Sequence, residues 1–219
     1  MIIETSQGNV EIDLQKHNKI FLQLSGGLDS AALLYVLAEN YHKDLQIHCI
    51  TVPYAGNPSC GYFASLVLQY IKDKFPIPIG HTINSYFGRG HEKVDKMIEA
   101  FYPFYKQGYI LMNGVTSNPD STFTFNQPSI SYTEPRDQVK PTNGIYSKGL
   151  VKNYIGLSPF AHIDKKVIRE IMDQRNISQD LVYRTRSCAN KNYIRCHQCW
   201  WCQERDWAFG DIDKEYIWE

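Results

Sequence analysis

The 219-residue sequence predicts an α/β fold: a doubly wound parallel sheet covered by helices on both faces, ending in a cysteine-rich knuckle. Three observations predict it. Apolar strand-like runs alternate with helix-length periodic segments through the first half of the chain. A pair of adjacent glycines sits where the first such strand meets the first helix. Four cysteines crowd into one short stretch near the C-terminus.

Lys19 to Leu24 reads as a buried strand, and Ser30 to Glu39, rich in Ala, Leu and Tyr, reads as a helix. Leu45 to Val52 is a second strand. Tyr62 to Phe75 carries helical spacing, which Pro76 stops. A third strand follows at Ile77 to Ile83, then a helix at Glu92 to Lys106 that Pro103 should kink, then a strand at Tyr109 to Val115. Ligands of such sheets bind outside the carboxyl ends of the strands, so Ser25, Val52 and Gly114 should share one crevice. From Thr116 to Gly149 the texture turns to Pro, Asn, Ser, Thr and Gly, which predicts a long loop or lid over 116–150 or, alternatively, a disordered insert. Lys165 to Arg175 is a helix capped by Asp164, within a C-terminal helical part running over 151–210. One domain accommodates all of this.

Composition narrows the function. Apolar and charged fractions of 43% and 21% are ordinary for a soluble protein. No apolar run approaches the ~20 residues of a membrane span, and Met1 to Thr5 lacks a secretory pattern, so a cytoplasmic enzyme with no membrane partner is the expectation. Net charge is zero, which argues against general nucleic-acid binding. The charge is uneven, however: residues 136–195 hold 12 Lys and Arg against 5 Asp and Glu. That excess suits anionic substrate groups or nucleic acid, and suits equally a solvated surface.

The chemistry starts at Ser25-Gly26-Gly27-Leu28-Asp29-Ser30. Glycines between strand and helix adopt unusual backbone angles and leave room for a phosphate. The amides of the helix's first turn and the helix dipole favour an anion there. Ser25 and Ser30 add hydroxyls. Asp29 is out of place beside an anion unless it binds Mg²⁺ or caps the amides. The pattern is neither the Walker loop nor the dinucleotide fingerprint.

Cys188-x7-Cys196-x2-Cys199-x2-Cys202 supplies four thiolates at spacings that suit tetrahedral Zn²⁺ in a structural role; an iron–sulfur cluster is the alternative. His197 is the spare ligand, with a packed or exposed role as its default. Trp200, Trp201 and Trp207 are expected to pack around the knuckle, a base-stacking platform being the other reading. Cys60 reads as a structural buried cysteine rather than a nucleophile.

The phosphate loop resembles the SGGxDS motif of the PP-loop, or N-type, ATP pyrophosphatase superfamily. With the cysteine cluster it resembles the 7-cyano-7-deazaguanine synthase family. Asn113-Gly114-Val115 is similar to that family's Thr-Gly-Val, and Ser158-Pro-Phe-Ala-His-Ile-Asp-Lys165 to its Thr-Pro-Leu-x-x-Ile-Asp-Lys. Gly88-Arg89 matches part of a Pro-Gly-Arg-Asn segment. The resemblance spans residues 19–205 and implies a sheet of adenine nucleotide alpha hydrolase (HUP) type with a C-terminal zinc knuckle. It also implies ATP with Mg²⁺ and Zn²⁺ as cofactors, and a deazapurine carboxylate and ammonia as substrates. The products would be an amide or nitrile, with AMP and pyrophosphate released. It places the phosphates on Ser25 to Ser30, nucleotide against Val52 and Gly114, and catalytic roles on Asp29 and Lys165, with Lys165 the one to stabilise transition-state charge; Arg89 would meet the substrate. From its place alone Lys165 reads equally as an exposed first-turn residue. A homodimer is compatible with all this. The departures fall in the substrate loop, where Pro53 to Cys60 replaces Asp-Tyr-Gly-Gln-Arg-His, so the acceptor is open. A tRNA-modifying or thiolating PP-loop enzyme, or a nucleotide-binding regulatory protein without turnover, are the other readings.

Overall fold

The computed structural model describes residues 1–85, 88, 92–126, 143–188 and 194–210. A short antiparallel ribbon, β1 (Ile2–Ile3) with β2 (Val10–Glu11), opens the chain. The main sheet then begins with β3 (Lys19–Gln23), α1 (Leu28–Glu39), β4 (Gln46–Thr51), α2 (Cys60–Lys74), β5 (Ile79–Ile83), α3 (Lys93–Tyr105) and β6 (Ile110–Asn113). It is completed by β7 (Gly144–Lys148) and β8 (Val151–Leu157), followed by α4 (Lys165–Gln174), α5 (Gln179–Tyr183) and α6 (Trp200–Phe209).

The six-stranded order is β5-β4-β3-β6-β8-β7, parallel except at the β7 edge. The strand periodicity sorts the core. Ile20, Leu22, Ile47, Cys49, Ile110 and Met112 face one side, where α1, α2 and α4 cover them. Phe21, Ile50 and Leu111, at the intervening positions, face Met97, Ile98 and Phe101 of α3 on the other. Sheets buried on both faces need apolar residues at consecutive positions, which is why these strands read as apolar runs rather than alternations. Helix α1 is buried on nearly every side from Leu28 to Ala38, since it lies between the sheet and its neighbours α2 and α4.

Two expectations need correction. The segment read as loop or lid over 116–150 carries strand β7, and the part read as helical from 151 opens with β8, which pairs with β6 inside the sheet. The pair is joined by a two-residue turn at Gly149 and Leu150. The polar texture misled because β7 is an edge strand: its alternate side chains, including Ile145, meet solvent. Residues 127–142 of the expected loop lie outside the described residues.

Pro103 lies within α3 without ending it. Asp164 caps α4 as predicted: its Oδ1 accepts from the amides of Lys166 at 2.8 Å and Val167 at 3.3 Å. Its Oδ2 accepts from Gln7 Nε2 at 2.7 Å, which ties the first residues of the chain to α4. Asp164→Ala is expected to lower stability by about 1–2 kcal/mol. Asp164→Asn, which keeps an accepting oxygen, is expected to lose less. Denaturant midpoints of the two variants measure the difference, and equal losses would show that the carbonyl-type acceptor is not what matters.

Candidate active site

Register brings the site together. Gln23 of β3 pairs with Ile50 of β4 and Asn113 of β6, so the three strand ends are level. From β3 the chain steps outward through β4 to β5, then returns on the opposite side of β3 as β6. The connections diverge between β3 and β6, and this is where open α/β sheets bind ligands. A crevice enclosing about 270 Å³ lies there, near the lower end of ligand clefts.

Ser25, Gly27, Asp29 and Ser30 line it, together with Gly114 and Lys165. Gly26 and Leu28 lie beneath. Gly26 has φ +75°, and a Cβ there would come within 2.8 Å of both the Ala64 amide nitrogen and the Cys60 carbonyl oxygen. The loop therefore rests on the first turn of α2. Its carbonyl accepts from the Arg186 amide at 2.8 Å. Ser30 Oγ donates to the Gly27 carbonyl at 3.0 Å and accepts from the Ser25 amide at 3.2 Å, while Ser25 Oγ accepts from the Gly27 amide at 3.3 Å. Gly114 closes the opposite wall so tightly that a Cβ would meet the Asp29 carbonyl oxygen at 2.8 Å.

Lys165 is 1% exposed, which overturns the surface reading of that residue. Its Nζ lies 3.1 Å from Asp29 Oδ2 and 3.0 Å from Glu204 Oε2. Burial by itself would lower the ammonium's pKa; the two carboxylates, Asp29 first and then Glu204, outweigh it and the net shift is upward. Lys165 is held as a cation at the crevice. Asp29 Oδ1 is buried and has no hydrogen-bond partner. An orphaned carboxylate oxygen on a residue that lines a phosphate-sized crevice suits a hard cation such as Mg²⁺.

Val52 does not reach the crevice: it is buried against α3 in the second core, and Tyr54 and Asn57 from the same connection line the wall instead. Cys60 is 4% exposed, and burial pushes its thiol up, which disfavours a nucleophilic thiolate. Arg89 lies outside the described residues. Sequence reading missed Tyr54, Asn57, Arg186, Ser187 and Trp201 as crevice residues and Glu204 as the partner of Lys165. No local pattern marks them, since all are brought in by chain segments distant from the loop.

The four cysteine sulfurs of Cys188, Cys196, Cys199 and Cys202 lie within 4.8 Å of one another, and Cys196 Sγ and Cys202 Sγ are 3.9 Å apart. Four sulfurs at ~2.3 Å from one ion would stand ~3.8 Å apart, so the cluster fits a tetrahedral metal. The Cys196 and Cys199 amides donate to the sulfurs of Cys188 and Cys196, both at 3.3 Å, as thiolate-stabilising contacts do. His197 is turned away, its Nδ1 3.4 Å from Asp206 Oδ2. Trp200 packs against Phe123 and Phe125, and Trp207 against Phe123 with Lys166 Nζ 4.1 Å from its ring. Trp201 packs against the cysteine cluster, as expected, and also lines the crevice.

Part of the basic charge at 136–195 is internal. Lys165 and Arg186 are buried, and the Arg195 side chain, 8% exposed, pairs with Asp206. No helix among the described residues is long and apolar enough to cross a membrane.

No protein-family profile matches the chain, and no curated protein matches it. Solved structures do. One is a glutamine-dependent NAD+ synthetase from Acinetobacter baumannii in complex with adenosine diphosphate (ADP), 14% identical, with a TM-score of 0.40. The match covers 74% of this chain, which spans only 30% of the synthetase chain. A likeness so partial says nothing about the reaction.

Proposed function

We propose that the crevice binds ATP with Mg²⁺ and cleaves it between the α and β phosphates to activate a carboxylate for attack by ammonia. The observation that carries this reading is the fully buried Lys165 ammonium fixed beside Asp29 where a glycine loop opens a helix. The loop amides, the Ser25 and Ser30 hydroxyls and the opening turn of α1 offer donors suited to a phosphate, and the two carboxylates already paired with the ammonium make a divalent cation the natural companion of that phosphate. Ser25 and Ser30 hydroxyls and the loop amides would hold the phosphate oxygens. Asp29, through its orphaned Oδ1, would hold Mg²⁺, which when bound supplies charge neutralisation between the phosphates. Lys165 would offset the charge that builds on pyrophosphate as it leaves.

The finer reading takes the substrate from the sequence resemblance: a 7-deazaguanine carboxylate. A carboxylate oxygen attacks the α-phosphorus, the bond to the bridging oxygen breaks, and pyrophosphate departs. Ammonia then displaces AMP, with loss of a proton, to give the amide; a second ATP adenylates the amide oxygen with release of pyrophosphate and a proton, and departure of AMP carrying that oxygen, with loss of the remaining N–H proton, gives the nitrile. Tyr54, Asn57 and Trp201, which line the crevice, would meet a planar acceptor in this reading.

The test is incubation of metal-loaded protein with 7-carboxy-7-deazaguanine, Mg²⁺ATP and ammonium. The expected result is AMP release that depends on the carboxylate, with an amide product or one lighter than the amide by a water. AMP released only with tRNA would move the reading to a tRNA-modifying enzyme. Tight ATP binding with no AMP on either acceptor would leave a nucleotide-binding regulator.

A further inference from the structure

Glu204 belongs to neither the phosphate loop nor the cysteine cluster, yet it is 0% exposed and its Oε2 lies 3.0 Å from Lys165 Nζ. A carboxylate is buried this way only when it is paired, because losing its hydration is unfavourable. Its place in the chain gives the pairing a second meaning. Glu204 stands two residues after the cluster cysteine Cys202 on the same helix, α6, which packs against α4, the helix that Lys165 opens. A parallel link runs on the other side. Cys188 stands two residues after Arg186, whose amide donates to the Gly26 carbonyl at 2.8 Å. Arg205, next to Glu204 and 1% exposed, donates to the carbonyls of Thr185 at 3.0 Å and Val182 at 2.8 Å, bracing α6 against the segment that leads to Arg186. Two short stretches of chain therefore run from cysteine ligands to the crevice, one ending on its cation and the other on its loop.

We propose that Glu204 is a positioning residue that couples the four-cysteine metal centre to the phosphate crevice. The ion fixes Cys202, Cys202 fixes Glu204 on α6, and Glu204 holds the Lys165 ammonium beside Asp29. Metal occupancy and anion binding then strengthen each other, since a coupling between two sites is reciprocal. The half of this inference that concerns the anion rests on the ATP reading above; the half that joins Lys165 to the metal ligands does not.

The experiment is chelator-driven release of zinc from the full, zinc-loaded chain, followed by the colour of a metal indicator. Lys165→Met removes the cation that faces the buried Glu204 carboxylate on α6, and release is expected to quicken at least about tenfold. Lys165→Met combined with Glu204→Gln removes both charges, and the rate is expected to return to within about twofold of the starting protein. Zinc release by Lys165→Met at the unmodified rate, or no recovery in the double variant, overturns the coupling. Should Lys165→Met alone fail to fold, folding becomes the readout: the double variant either regains a folded, zinc-holding chain or sinks the inference. In the second arm, saturating Mg²⁺ATP is expected to slow release several-fold, and Glu204→Gln to abolish that slowing; slowing that survives Glu204→Gln overturns the anion half. Unmodified protein that binds no nucleotide removes the ATP reading, while the nucleotide-free rates still decide the coupling.

Discussion

Stripping the metal from the four-cysteine centre is expected to lower the thermal midpoint by at least about 6–12 °C. The estimate starts from the free energy of structural zinc, about 10–16 kcal/mol in peptides that have no fold without it. Here the sheet and its helices hold much of the chain independently, so only part of that appears as stability; a loss of at least about 3 kcal/mol is the expected share. For a chain of this size ~1 kcal/mol corresponds to ~2–4 °C. The physical reason lies in the packing. Cys188, Cys199 and Cys202 form a small core of their own, with Cys196 and Trp201 against it and no larger apolar side chain at its centre. Without an ion, the Cys202 thiol is pushed up by the hydrogen bonds it donates toward Cys188 and Cys199 and then by burial, so it keeps its proton and little besides these contacts holds the sulfurs together. Calorimetry in reducing buffer before and after chelation measures the change, and zinc should restore it. An unchanged midpoint would mean the four sulfurs close by packing alone. Absorption decides the ion: a colourless loaded protein fits zinc, and visible bands fit an iron–sulfur cluster.

Gly26→Ala is expected to be severely damaging, because among the described glycines Gly26 alone combines a positive φ with backbone atoms inside 3 Å of an added Cβ. At φ +75° a side chain adds ~1–2 kcal/mol of backbone strain. The new Cβ would also meet the Ala64 amide and the Cys60 carbonyl, each at 2.8 Å, and the Phe63 Cβ at 2.9 Å. The first two are backbone atoms of α2's first turn, which cannot swing aside, and overpacking of this kind adds ~1–3 kcal/mol. Relief would lift the loop away from α2, but the Arg186 amide holds the Gly26 carbonyl from the other side. Nucleotide affinity is therefore expected to fall more than about tenfold along with stability, a tenfold change being ~1.4 kcal/mol. Gly108→Ala provides the control. Its φ of +84° carries the same strain, but no atom lies within 4 Å of the added Cβ, and it is remote from the crevice. The two variants separate by their denaturant midpoints and by nucleotide calorimetry. If both lose equally and neither changes binding, the contact with α2 plays no part.

The phosphate loop and the cysteine cluster were legible because each is a local device. Gly26 and Gly27 open a helix within six residues, and the four cysteines span fifteen, so spacing along the chain already encodes spacing in space. The main-sheet strands between residues 19 and 115 were legible for a related reason, that strands covered on both faces are apolar throughout; the two-residue strands β1 and β2 are too short to carry such a pattern. The β7–β8 hairpin was not, because an edge strand with one side in water looks like polar loop. Val52 was misplaced on the crevice because periodicity tells which residues are buried but not on which side of a twisted sheet a chain leaves it.

By itself, the sequence determined the α/β class, the helix-opening glycine loop and a tetrahedral set of thiols. Only the tertiary structure decided that Lys165 is buried between Asp29 and Glu204, and that the helix following the cysteines supplies the second carboxylate. Those three side chains come from α1, α4 and α6, far apart along the chain. No propensity or spacing rule spans that distance; what brings them together is the packing of three helices on one face of the sheet, where a buried charge must find its opposite.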